Sequence, residues 1–183
     1  MSLEQISPNN IPPAAAAPVA EVRISDEVPL DTAQLREHPV FLAADPENRV
    51  PDVTLGSASL SPRDRAHANE QRIGIIADGQ LVGALNLKQL PSGTTWIRDV
   101  RIEEEAQGRR LGVATYLGVI AAAHDAGRRV QSDPAGLSPS PAGDSPARHV
   151  WDSLVGRGVA EVVPGQQDQH GNPRFISKPP EAK

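Results

Sequence analysis

Apolar residues recur along this chain with two periods, one of strands and one of helices. Residues 73–77 and 81–88 are apolar runs separated by Asp78-Gly79. That arrangement is the signature of two antiparallel strands joined by a tight turn. Pro91-Ser92-Gly93 marks a second turn, and residues 94–102 follow as a third strand. Simple alternation puts Trp96, Arg98, Val100 and Ile102 on one face of it and Ile97, Asp99 and Arg101 on the other. Val113, Ala114, Leu117, Ile120, Ala121 and Ala122 then recur at helical spacing, which predicts a helix over about 110–126 ended by Gly127.

The flanking elements are shorter. Residues 19–24 alternate as a strand, and Asp31 caps a short helix that Pro39 stops. Residues 45–60 read mainly as loop. Ser61-Pro62 opens a helix running to about Gln71, with serine as the cap and proline at the first helical position. Residues 128–132 form a short strand, and four prolines make 134–146 an irregular loop. Asp144 or Ser145 caps a helix through Val150, Trp151 and Leu154 to about Arg157. Residues 160–163 and 174–177 are strands, with a polar loop over 165–173 between them.

A meander of strands followed by helix, strand, helix and strands predicts an α/β fold: a mixed sheet with helices on both faces. Residues 1–18, rich in proline and alanine, form an extended arm; residues 19–178 form the domain; residues 179–183 are a tail.

Composition narrows the chemistry. Aromatic residues are only 3% of the 183, so aliphatic side chains fill the interior. A net charge of −5 argues against general nucleic-acid binding, which needs basic excess. There are no cysteines, which rules out disulfides, Cys-based zinc sites and a thiol nucleophile. The five histidines are scattered without the spacing of a helical metal site, so no metal is expected. No apolar run of about 18 residues predicts a membrane span, and the first residues lack the pattern of a secretory signal. A cytoplasmic location is the expectation.

The most informative stretch is residues 100–114, a strand end, a polar turn with glycine and arginines, and the start of an apolar helix. A helix start leaves backbone N–H groups without acceptors, and its dipole attracts anions. That turn suits a phosphate-bearing ligand.

The same stretch, Ile102-Glu103-Glu104-Glu105-Ala106-Gln107-Gly108-Arg109-Arg110-Leu111-Gly112-Val113-Ala114, resembles the phosphate loop of the GNAT superfamily of acyl-CoA N-acyltransferases. The family pattern is Gln/Arg-x-x-Gly-x-Gly/Ala at a strand-to-helix turn. With Gln107 opening it, Gly112 fits the last position and Arg110 replaces the first glycine. With Arg109 opening it, Gly112 and Ala114 both fit. The first register keeps the usual distance from the strand, and it implies that the backbone at Arg110 needs no positive φ. A second match is Asp144-Ser145-Pro146-Ala147-Arg148-His149-Val150-Trp151, which parallels the family's Asn-x-x-Ala-x-x-x-Tyr. Asp144 stands at the asparagine and Trp151 at the tyrosine that protonates the leaving thiolate in many members.

The resemblance implies a GNAT-like, mostly antiparallel sheet and acetyl-CoA as cosubstrate. The pyrophosphate would lie on backbone N–H groups of residues 108–113, with Ile102, Gln107, Gly108, Arg109, Arg110, Leu111, Gly112, Val113 and Asp144 as the cofactor-binding set. A backbone N–H near 100–102 would polarise the thioester carbonyl. Asp99 is the first candidate for the base that takes the amine's proton, and Glu103, with Glu104, the next. Tryptophan has no acidic proton to give. Ser145 and Ser132 lie near the right loop, but a hydroxyl is a poor acid; Tyr116 and Trp151 are expected to pack. His149 is a candidate for exposure.

Three functions follow. The first is acetyl transfer to an amine, with the acidic chain favouring a cationic acceptor: a small amine, or a lysine or N-terminus of a protein. The second, which Trp151 supports, is a weak or inactive scaffold in an assembly. The third is an unrelated anion-binding α/β protein, marked by the absence of a gap between the strand ending at Ile102 and strand 128–132. A homodimer is compatible with the resemblance.

Overall fold

The computed structural model describes residues 22, 24, 29–56, 70–132, 145–167 and 171–179. Among these residues, eight strands form one sheet in the order β1-β2-β3-β4-β5-β6-β8-β7. They are β1 (Leu30–Asp31), β2 (Thr54–Gly56), β3 (Glu70–Ala77), β4 (Gln80–Gln89), β5 (Thr94–Ile102), β6 (Arg129–Ser132), β7 (Ala160–Gln167) and β8 (Pro173–Ser177). Only β5 and β6 pair in parallel; the other neighbours are antiparallel. The helices are α1 (Pro39–Ala44), α2 (Leu111–Asp125) and α3 (Pro146–Gly156). The mixed, mostly antiparallel sheet is therefore as expected, and α2 touches α1, α3, β5 and β6.

The expected hairpin forms as β3 and β4. Asp78 and Gly79 both take positive φ, 51° and 74°, which matches the right-handed twist of the strands. Helix α2 is apolar around its circumference, and ten of its residues are buried. Such a helix belongs inside a protein rather than on its surface. Its neighbours on both flanks supply that cover.

Several expectations fail, each for a local reason. Pro39 does not stop a helix; it starts α1, where a missing N–H costs nothing. The preceding turn is a short 3-10 helix over Thr32–Leu35 capped by Asp31, whose carboxylate accepts from the Ala33 N–H at 3.0 Å. Glu70 and Gln71 belong to β3, so no helix reaches Gln71; residues 61–69 of that expected helix lie outside the described set. The region 45–60 contains β2, and β7 extends to Gln167 through the expected loop. Of the expected first strand, Val22 and Ile24 are described; both are buried, and neither is in a strand.

The most consequential failure is the simple alternation along β5. Asn86 pairs with Asp99 and Leu87 with Ile97, which leaves Arg98 as an extra residue. This bulge shifts the phase: Thr95 and Ile97 are buried, Arg98 and Asp99 are both exposed, and Val100 and Ile102 return to partial burial. Beyond the bulge β5 crosses very close to β4. A Cβ on Gly83 would sit 2.2 Å from the Arg101 carbonyl oxygen, so only glycine fits there.

Arg110 takes φ 61° and ψ 16°, against the expectation of ordinary backbone. Arginine thus occupies the left-handed conformation for which the resembling pattern uses glycine. At the other end of the sheet, Asp45 closes α1. Its carboxylate accepts from the N–H groups of Arg49 (2.9 Å) and Val50 (2.8 Å) and pairs with Arg36 at 3.3 Å. Burial opposes ionisation of Asp45, but these donors and the charges of Arg36 and Arg157 outweigh it and hold the carboxyl below its ordinary value.

Two stability predictions follow. Asp45→Asn lowers stability at pH 7 by about 1–3 kcal/mol. Because the folded-state value is lowered, that contribution is present above the ordinary carboxyl range and lost as pH falls through the lowered value. Thermal melts of variant and wild type should therefore converge in acid. At Arg110, a left-handed non-glycine residue costs roughly 1–2 kcal/mol, while glycine's extra chain entropy returns about 0.5–1 kcal/mol of any relief. Arg110→Gly should melt slightly above the wild type and Arg110→Val below it.

Candidate functional site

Among the described residues, the parallel pairing of β5 with β6 runs from Thr94↔Arg129 to Ile97↔Ser132. From Arg98 to Ile102, β5 is paired on its β4 side alone among the described residues. A cleft of about 600 Å³ opens beside this free edge. Its walls are residues 100–102 of β5, the turn 106–110, the first turn of α2, and Pro146, His149 and Val150 at the start of α3. A volume of this size lies within the range of small-molecule sites. Among the described residues, the gap that would be missing from an unrelated anion-binding fold is open.

Aromatic packing sets the width of the cleft. Trp151 of α3 is 1% exposed. Its ring meets Tyr116 of α2 edge-on, with centroids 5.4 Å apart, and stacks on Phe175 of β8 at 5.9 Å. Three of the chain's five aromatic rings are spent here. They hold the start of α3 against α2, so that a Cβ on Gly112 would lie 3.4 Å from Val150 Cγ2. Trp151 is thus a core anchor, as expected. Tyr116 is also buried; desolvation, and then the negative charge of Asp99, push its phenol well above the ordinary value.

The turn presents donors. The Gln107 side-chain amide donates to the Ile102 carbonyl at 3.1 Å and folds the turn back on the strand. Gly108 takes φ +77° and Arg110 is left-handed. The Ala114 N–H donates to the Arg110 carbonyl at 3.2 Å, and no side chain caps the helix. The N–H groups of Leu111, Gly112 and Val113 precede that bond, so they have no acceptor within the helix. The helix dipole adds positive potential at the same point. Two arginines, Arg101 and Arg110, line the same cleft, and neither pairs with a carboxylate among the described residues.

The structure separates the expected site residues into groups. Ile102, Gln107, Gly108 and Arg110 line the cleft, as do Leu111, Gly112 and Val113. Arg109 does not; it turns away and pairs with Asp78 on the β3–β4 turn. Asp144 lies outside the described residues. None of the three expected catalytic residues is on the cleft wall. Asp99 is exposed at the bulge. Glu103 is exposed, and its backbone N–H donates to the Val82 carbonyl at 2.9 Å. Ser145 is buried at the N-terminus of α3 without capping it through its side chain. The wall also includes Val100 and Arg101, expected there only as backbone donors, and Ala106, Pro146, His149 and Val150, which were not in the expected set. Strand periodicity could have found Val100, because it shares a face with Ile102. Nothing local in the sequence brings His149 to β5, since that proximity comes from the α2–α3 packing.

The chain is similar to several solved structures. One is the PaiA N-acetyltransferase of Thermoplasma acidophilum in complex with coenzyme A, at 13% identity and TM-score 0.43, over 60% of this chain and 61% of that one. Another is an IAA acetyltransferase of Bacillus cereus ATCC 14579, at 14% identity and TM-score 0.44, over 75% of this chain and 89% of that one. A third is a nourseothricin acetyltransferase, at 14% identity and TM-score 0.41, over 71% and 72%. No curated protein matches the chain. The family profile described as Acetyltransferase (GNAT) family matches residues 26–132, more than half of the chain and including β5, the turn and α2. The chain belongs to the GNAT acetyltransferase family.

Proposed function

We propose that this protein transfers an acetyl group from acetyl-CoA to an amine. The observation that carries the reading is the meeting of a free strand edge and an uncapped helix start in one cleft. An extended amide-containing arm can pair with the edge of β5 as an added strand does. A pyrophosphate finds N–H donors and fixed positive charge at the other end. Apolar side chains between them, Val100, Ile102, Leu111 and Val150, keep water off the arm. Acetyl-CoA has these parts in this order, and it supplies an acyl group already activated as a thioester.

In this reading each group of the protein has a defined task. The N–H groups of Leu111, Gly112 and Val113 hold phosphate oxygens, and Arg101 and Arg110 add charge-assisted contacts. An N–H on the free edge between Val100 and Ile102 donates to the carbonyl oxygen, which gathers charge in the transition state. Asp99, exposed at the bulge, is the carboxylate we assign to the amine side, where it takes the proton through water. The net charge of −5 supports a cationic acceptor, whether a small amine or a protein lysine or N-terminus.

Calorimetry with coenzyme A tests the cleft directly. Wild-type protein should bind, and Gly112→Trp, which fills the phosphate turn, should lose at least tenfold in affinity with an unchanged melting temperature. Equal affinity in both would refute the assignment of the cleft. Arg110→Gly keeps the backbone donors and loses one guanidinium. It should bind coenzyme A about 5–10-fold more weakly, with a shallower dependence on salt.

A further inference from the structure

We infer that His149 is the proton donor to the departing sulfur, in place of the phenol that the chain lacks at the cleft. This rests on the proposed acetyl-CoA reading of the same cleft. Three observations support it. The first is the removal of the alternatives. Trp151 has no acidic proton, and it is 1% exposed in the core. Tyr116 is buried and off the cleft wall. Ser145 is buried beneath the start of α3 and off the wall as well.

The second observation is the chemistry of the wall itself. It consists of aliphatic side chains, two glycines, a proline, Gln107, two arginines and His149. Guanidinium stays protonated under all ordinary conditions, and an amide side chain gives no proton. The imidazole of His149 is therefore the one described group on the wall whose side chain can both carry and release a proton. Third, His149 is exposed on the first turns of α3, and that turn borders the cleft shared with residues 100–102 of β5. The anchoring of α3 through Trp151 holds it there.

The proton balance closes without another reagent. As the new C–N bond forms, the amine nitrogen gives up a proton through water to the Asp99 side. As the C–S bond breaks, its electron pair stays on sulfur. The imidazolium N–H of His149 then transfers its proton to that sulfur, leaving coenzyme A as the thiol and His149 neutral. Solvent recharges the ring for the next turnover. A free thiol ionises near pH 8.5, so the departing sulfur takes up a proton at neutral pH. The charged residues that share the wall with His149 are Arg101 from β5 and Arg110 from the turn. On α3 itself, Arg148 is engaged with Asp152 at 3.7 Å.

The test needs no knowledge of the acceptor. Free coenzyme A, labelled with carbon-13 at the methylene beside sulfur, is bound to full-length wild type, His149→Gln and His149→Asn. Its NMR shift is then followed against pH. Next to an imidazolium the bound thiol should form several-fold more thiolate at a given pH than in either variant. Affinity for coenzyme A, measured by calorimetry, should change less than threefold. An identical thiol titration in wild type and variants overturns the donor role. So does a tenfold loss of affinity with an unmoved titration, which would make His149 a phosphate contact instead. Absence of coenzyme A binding to the wild type fails the cleft assignment itself, and the donor role with it.

Discussion

β5 can pair with β6 or border a cleft, but the same residues cannot do both. The structure resolves this by dividing the strand. Its first half is tied down: Arg128, buried, donates to Thr95 Oγ1 at 3.1 Å and to the carbonyls of Leu90 and Thr94 at 2.8 and 2.9 Å. This pins the start of β6 to the β4–β5 turn and fixes where the parallel pairing begins. The second half is turned by the bulge at Arg98 and held against β4 by the close approach at Gly83. A free strand edge is ordinarily a liability, because its backbone groups need partners. Here those groups face a cleft whose far end is lined with donors for an anion. The whole functional reading depends on that division.

The helical layer serves the same opening. α2 is buried along most of its length, so its first turn is carried to the cleft by a rigid element. α3 is anchored by Trp151, which sits between Tyr116 and Phe175, and by the buried Leu154. In a chain so poor in aromatic residues, spending three of five in one place shows how much the position of α3 matters. The same arrangement removes both large polar aromatics from the chemistry. Tyr116 is too deeply desolvated to give up its proton readily, and Trp151 has none to give. In the reading proposed above, proton transfer at this cleft falls to His149, two residues before Trp151 in the same motif.

Arg110 joins the two demands on the turn. A glycine there would relieve the left-handed backbone. Arginine accepts the strain, and its guanidinium lies at the wall where the helix N–H groups are exposed. Strain that persists at the turn where we place the phosphates fits the general pattern of conformational cost concentrated at functional sites.

The sequence by itself determined the hairpin, β5, α2 and the polar turn between the last two. Each rests on neighbours a few residues apart: Asp78-Gly79 for the turn, alternation for the strands, apolar spacing and Gly127 for the helix. The resemblance of residues 102–114 rests on equally local spacing. What the sequence did not determine depends on contacts between distant elements. Pairing between β4 and β5 created the bulge that exposed Arg98 and Asp99 together. An ion pair with Asp78, thirty-one residues away, drew Arg109 off the cleft. The left-handed backbone at Arg110 came from the path the turn must take from β5 into α2. The packing of Trp151 against α2 and β8 brought His149 to the wall while leaving Ser145 beneath it. Periodicity records which face of an element is apolar, and it carries no record of which element that face will meet; the tertiary structure alone decided that.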